Sequence, residues 1–242
     1  MRQAKLPDHL KVPWNIKDAL VAMAFIWIGF SIAIDLTAMM LSPFSSIIND
    51  FYSGLKNDAV WPSFISALLL TVAGFGLIYF YLKKYNVGWA SVGWRKFKPF
   101  KAIGLILLVL ASFLIGISLL LLIISLLIPA FNANQPQTNS FTGPSFSIIS
   151  LIALVVLPPF IEETLFRGFM FPAFSKKYGV IWGAILSSFI FGFAHLQFNV
   201  GIYTFVLGIL LCFMYIKLKS IFPGILVHML NNYIAYIAIA HH

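Results

Sequence analysis

A chain of 242 residues in which 61% are hydrophobic and only 10% charged, with a mean hydropathy of +0.95, cannot cover itself with an aqueous surface, which excludes a soluble globular domain. Its formal charge of +9 would suit nucleic acid, but the lysines and arginines come in short clusters between apolar runs, so the bilayer is the partner they mark and nucleic acid is not. Cys212 is the one cysteine, and no intramolecular disulfide can form.

The sequence reads as an all-α, polytopic transmembrane helix bundle. A hydrocarbon core of roughly 30 Å needs about 20 apolar residues in helical form. By that measure the first span covers about residues 19–41 and is expected to stay in the protein, because no small-residue cleavage site follows a short apolar run. The second covers about residues 61–82 and the third 102–128, ended by Pro129 and followed by an uncharged polar loop, 132–144. The fourth starts near Phe146, the fifth covers 180–197, the sixth 201–216 and the seventh 221–240; the sixth is short and expected to be tilted or re-entrant.

Lys176 with Lys177, and Lys217 with Lys219, fall on the same side as Arg2, Lys5, Lys11, Lys17, Lys83, Lys84, Arg95, Lys96, Lys98 and Lys101 if the N-terminus is cytoplasmic. Only Lys56 falls opposite, so the N-terminus is expected inside and the C-terminus outside. Trp14, Trp61, Trp89, Trp94 and Trp182 lie near expected boundaries, where indole rings favour the interface. Two regions follow: residues 1–145, with three spans and a basic cytoplasmic link, and residues 146–240, with four spans.

The second region holds the chemistry. Within expected spans the charged or titratable side chains are Asp35, Glu162, Glu163, Arg167, His195 and His228, and five of these six lie in the last four spans. Asp35 is read as a helix-packing or loop contact. A charge in hydrocarbon costs several kcal/mol, so Glu162 and Glu163, the only glutamates, point to a functional interior. Glu163 and Arg167 are four apart and can pair on one helix face; Glu162 is rotated by about 100° and is left available. Pro158 and Pro159 lack backbone donors and are expected to kink or restart the helix just before them.

Phe191 and His195 share a face of the fifth span, and His228 and Asn232 a face of the seventh. One carboxylate, two imidazoles and an amide have the composition of a hydrolytic site: Glu162 with a histidine to activate water, and Asn232 to donate to an oxyanion. Zinc held by Glu162, His195 and His228 is the other chemistry open to the same residues.

At Glu162-Glu163-x-x-x-Arg167, Phe191-x-x-x-His195 and His228-x-x-x-Asn232, in that order, the chain resembles the CPBP family of intramembrane proteases, the CAAX-protease and bacteriocin-processing group also called Abi. Val92-Gly93-Trp94-Arg95 is similar to a short Leu-Gly-Leu-Arg element that many members carry. The resemblance covers about residues 146–240. It implies endoproteolysis at the cytoplasmic side of a bacterial cell membrane. On that basis Glu162 activates water with help from His195, His228 and Asn232 stabilise the oxyanion, and Glu163, Arg167 and Phe191 support them. It implies zinc or no cofactor, and a peptide or protein substrate in or at the bilayer. Eight spans are common in that family, one more than are counted here. The competing classes are a non-catalytic membrane protein that confers bacteriocin immunity by binding, and a proton-coupled transporter, which the lack of an inverted repeat disfavours.

Overall fold

The computed structural model describes residues 6–26, 60–128, 131 and 148–240, and every regular element among them is helical. Asp35, most of the expected first span and the 132–144 loop lie outside the described residues. Helix α1, Ile16–Ala24, begins in a capping box: Asn15 Oδ1 accepts from the Lys17 and Asp18 N–H groups, and Asp18 accepts from the Asn15 N–H at 3.0 Å. Asp18 also accepts from Lys84 Nζ at 2.9 Å and from the Tyr85 hydroxyl at 2.6 Å, which ties α1 to the end of α2, Val60–Lys84.

Helix α3, Pro99–Leu127, starts on a proline, whose missing donor is harmless in a first turn. Its Leu107, Leu119 and Leu126 point outward, as a hydrocarbon surround requires. Helix α4 is a rod of 31 residues, Ile148–Tyr178, followed by α5, Val180–Phe193, α6, Phe198–Leu218, and α7, Phe222–Ala240. Among the described residues, four helices are long and apolar enough to cross a membrane: α3, α4, α6 and, within α2, Ala67–Lys84. Helix α5 has 14 residues, or about 21 Å, short of a full crossing.

Two expected boundaries are corrected. The fifth span was expected to reach residue 197, yet α5 stops at Phe193; Ala194 and His195 form a turn and Leu196 takes a left-handed φ of 56°. The sixth was expected to be short, yet α6 starts earlier and has 21 residues. His195, Gln197 and Asn199 mark a break in the apolar run, but hydropathy does not say at which residue either helix ends.

The double proline does not break α4. The rod widens into a π-helical turn over Ile152–Val156, and the α form resumes at Leu157 with the prolines in its first turn. A second π segment, Thr164–Met170, directly follows the glutamates. Three other parts of the chain hydrogen-bond to it: Trp94 Nε1 donates to Thr164 Oγ1 at 3.0 Å, Ser187 Oγ to the Phe166 carbonyl at 3.0 Å, and Trp14 Nε1 to the Phe169 carbonyl at 2.8 Å. Trp14, expected at the interface, is instead fully buried and stacked on Phe169 at 4.6 Å, because that carbonyl satisfies its N–H.

The basic segments meet at one end of the bundle. Lys176 Nζ donates to the Val12 carbonyl at 3.1 Å, Ser220 Oγ donates to the Arg95 carbonyl at 2.7 Å, and the Ile221 N–H donates to the Gly93 carbonyl at 3.0 Å. The turn Trp89–Val92 lies so close to α4 that a Cβ on Gly168 would stand 2.2 Å from the Val92 carbonyl oxygen. Gly168→Ala should therefore push backbone against backbone and destabilise the fold by about 1–3 kcal/mol, read as a lowered unfolding midpoint in detergent.

His9 is buried at this end, edge-on to Tyr215 at 5.3 Å. Burial, with added repulsion from Arg95 and Lys219, pushes its imidazole from the usual 6.5 down to about 4. The unfolded chain thus takes up a proton that the folded chain refuses between these values, and stability falls as pH drops from 6.5 towards 4. His9→Gln should flatten that part of the stability profile, measured as unfolding midpoint against pH.

Candidate active site

Helix α4 brings Glu162, Glu163 and Arg167; α7 brings His228, Asn231 and Asn232; the end of α5 brings Phe191, with His195 just beyond it. Glu163 is fully buried, and its Oε1 accepts from Arg167 Nη1 at 2.9 Å and from His228 Nδ1 at 3.0 Å. A carboxylate oxygen only accepts, so Nδ1 of His228 carries the hydrogen and its other nitrogen is turned outward. That Nε2 lies 3.7 Å from Glu162 Oε2. The two neighbouring carboxylates differ in access: the Glu162 side chain is 24% exposed and that of Glu163 only 1%. Sequence spacing gave Glu163 its arginine. It carried no sign that the same oxygen would orient His228.

Phe191 is the shared wall. Its ring is edge-on to His195 at 5.1 Å and to His228 at 5.8 Å, and the Arg167 guanidinium lies over it at 4.3 Å. His195 Nδ1 is 2.9 Å from the Phe191 carbonyl, which can only accept, so Nδ1 carries a hydrogen. The turn after α5 makes this contact, where the sequence had suggested that His195 was inside the helix. Among the described residues no three His, Cys, Asp or Glu side chains form a group able to hold a metal ion. Glu162, His195 and His228 do not form such a group. Both imidazoles pack on one phenyl ring, and each has Nδ1 engaged elsewhere.

Asn232 Nδ2 donates to the Leu154 carbonyl at 3.1 Å. That oxygen has no donor in its own rod, since the α-type partner is Pro158 and the π-type partner Pro159. The sequence could have shown that need, although not which side chain would meet it. Asn231 beside it is more deeply buried and accepts from the Tyr203 hydroxyl.

Arg167 is the deepest cation of the site, with Nε and Nη2 lacking hydrogen-bond partners among the described residues. Gly208 makes room for it, since a Cβ there would approach Nη2 to 3.1 Å and Ser188 Oγ to 2.9 Å. Arg167→Met should leave Glu163 buried without its cation and destabilise the protein by about 3–5 kcal/mol. Glu163→Gln added to it should recover part of the lost midpoint in detergent.

The fold and site together define a helical integral membrane protein with a buried carboxylate–imidazole centre. Residues 144–234 match the family model described as Type II CAAX prenyl endopeptidase Rce1-like, a stretch that contains all seven side chains singled out from the sequence. Through this region the chain is similar to the CAAX protease family of membrane proteases. It is also similar to an "Uncharacterized 24.3 kDa protein" of Escherichia coli, 36% identical over 74 residues, which are 29% of this chain and 34% of that one. The "Putative membrane peptidase YdiL" of Bacillus subtilis (strain 168) is 27% identical over 84 residues, 35% of this chain and 34% of that protein. The chain thus spans about a third of the length of these curated relatives. No solved structure matches it.

Proposed function

We propose that this chain is an intramembrane endopeptidase that hydrolyses a peptide bond in a membrane-delivered or lipid-anchored polypeptide, with Glu162 as the base that activates water. The observation that carries this is the approach of Glu162 to His228 at 3.7 Å, backed by the buried Glu163–Arg167 pair. Glu162 is the carboxylate that water can reach. Glu163 is the one that orients.

In this mechanism Glu162 takes a proton from a water molecule whose acceptor side is held by neighbouring donors, and the water oxygen bonds to the substrate carbonyl carbon. The carbonyl electron pair moves onto oxygen as an oxyanion. Asn232 offers its second Nδ2–H to that oxygen, and protonated His228 offers Nε2–H. His195, with Nε2 as acceptor, helps to orient the water. The proton on Glu162 then passes to the amide nitrogen, the C–N bond breaks, and the water's second proton moves from the new carboxyl group to the amine, so that a carboxylate and an ammonium leave.

The basic end of the bundle faces the cytoplasm by the positive-inside rule, and the named relatives come from bacteria, which supports a bacterial cell membrane. The test uses the full chain in nanodiscs with an internally quenched, farnesylated CAAX peptide. Glu162→Gln should lower kcat by about 10³-fold with an unchanged unfolding midpoint. Cleavage by this variant at the wild-type rate would rule out Glu162 as the base, and no cleavage by the wild type would rule the peptidase out. Comparing membrane peptides from cells carrying wild type or Glu162→Gln would identify the physiological substrate.

A further inference from the structure

Tyr203 lies outside every motif used above, yet its side chain ends in the polar network of the site. It extends from α6, its ring meets Phe113 of α3 edge-on at 4.7 Å, and its hydroxyl donates to Asn231 Oδ1 on α7. Asn231 Nδ2 then donates to Asn232 Oδ1 over 3.4 Å, and Asn232 Nδ2 to the Leu154 carbonyl at 3.1 Å. Four groups on three helices thus form one directed chain.

A carboxamide fits a cavity almost equally well either way round, because its oxygen and nitrogen are similar in size. Fixed groups at the two ends remove that freedom. The acceptor end is fixed because Pro158 and Pro159 leave the Leu154 carbonyl without a helix donor. With Nδ2 of Asn232 turned to Leu154, its Oδ1 faces Asn231 Nδ2, and Asn231 Oδ1 then needs a donor of its own. The Tyr203 O–H is that donor. Without it, Asn231 would keep a buried oxygen unpaired, and the orientation in which its Nδ2 donates to Asn232 Oδ1 would lose its support.

Resting on the peptidase reading, we propose that Tyr203 is a positioning residue: its O–H fixes both carboxamides in one orientation, so that the second Nδ2–H of Asn232 stays directed at the oxyanion. Tyr203→Phe keeps the ring on Phe113 and deletes only the hydroxyl. With the farnesylated peptide in nanodiscs, this variant should lower kcat roughly tenfold and leave KM within about twofold. Combined with Asn232→Ala it should be no slower than Asn232→Ala alone, because the two changes act through one group.

A second measurement needs no substrate. In protein labelled with [15N]asparagine, Tyr203→Phe should shift the side-chain NH2 signals of both Asn231 and Asn232. A wild-type kcat in Tyr203→Phe, or its full effect added on top of Asn232→Ala, overturns the positioning role. If instead the wild type does not cleave the peptide, the peptidase reading fails, and if Glu162→Gln cleaves it normally, the role of Glu162 in that reading fails; in either case the amide signals still decide the role of Tyr203. An unmoved Asn232 signal would refute it.

Discussion

The burial of the Glu163 carboxylate is the constraint on which the rest of this structure depends. An ion taken out of water and left alone costs several kcal/mol. Here one oxygen accepts from Arg167 at 2.9 Å and from His228 at 3.0 Å, so a guanidinium on the same helix and an imidazole on another share the compensation. The same two bonds fix the relative rotation of α4 and α7. They also set the tautomer of His228 and direct its second nitrogen to Glu162. Phe191 closes this arrangement, with the Arg167 cation on its face and an imidazole against it from each of two elements.

Helix α4 accommodates these demands by departing from regular α geometry on both sides of the glutamates. Before them, two prolines remove the helix donors of the Leu154 carbonyl, and Asn232 supplies one from α7. After them, a π segment is held by donors from Trp94, Ser187 and Trp14, which come from the basic link, α5 and the N-terminal segment. Each irregularity thus becomes a point of attachment for a neighbouring element. The short approach at Gly168, which only a residue without a Cβ allows, brings the basic link against α4 within two turns of Glu163.

The site lets water reach one carboxylate while keeping a second one dry. Adjacent residues on a helix do this by facing different ways, and Glu162 and Glu163 differ accordingly, at 24% and 1% exposure. In the proposed mechanism the exposed acid handles protons, and the buried acid with its arginine holds the imidazole that serves it. The chain through Tyr203 and the two asparagines would do for the amide what Glu163 does for His228.

The sequence alone determined what its local physics controls. Apolar run length set the membrane class and the positions of α2, α3 and α7, and spacing of four put Arg167 against Glu163, because helix rise and repeat act within one element. It placed the break between α5 and α6 but not their exact ends, which depend on the backbone reversal at Leu196, nor did it reveal the burial of Trp14, whose acceptor is 155 residues away. Tertiary structure alone decided that His228 bonds Glu163 as well as approaching Glu162, that Asn232 serves Leu154, and that Tyr203 reaches Asn231. Each of these joins side chains on different helices, and which faces meet depends on packing rotations that no single helix encodes.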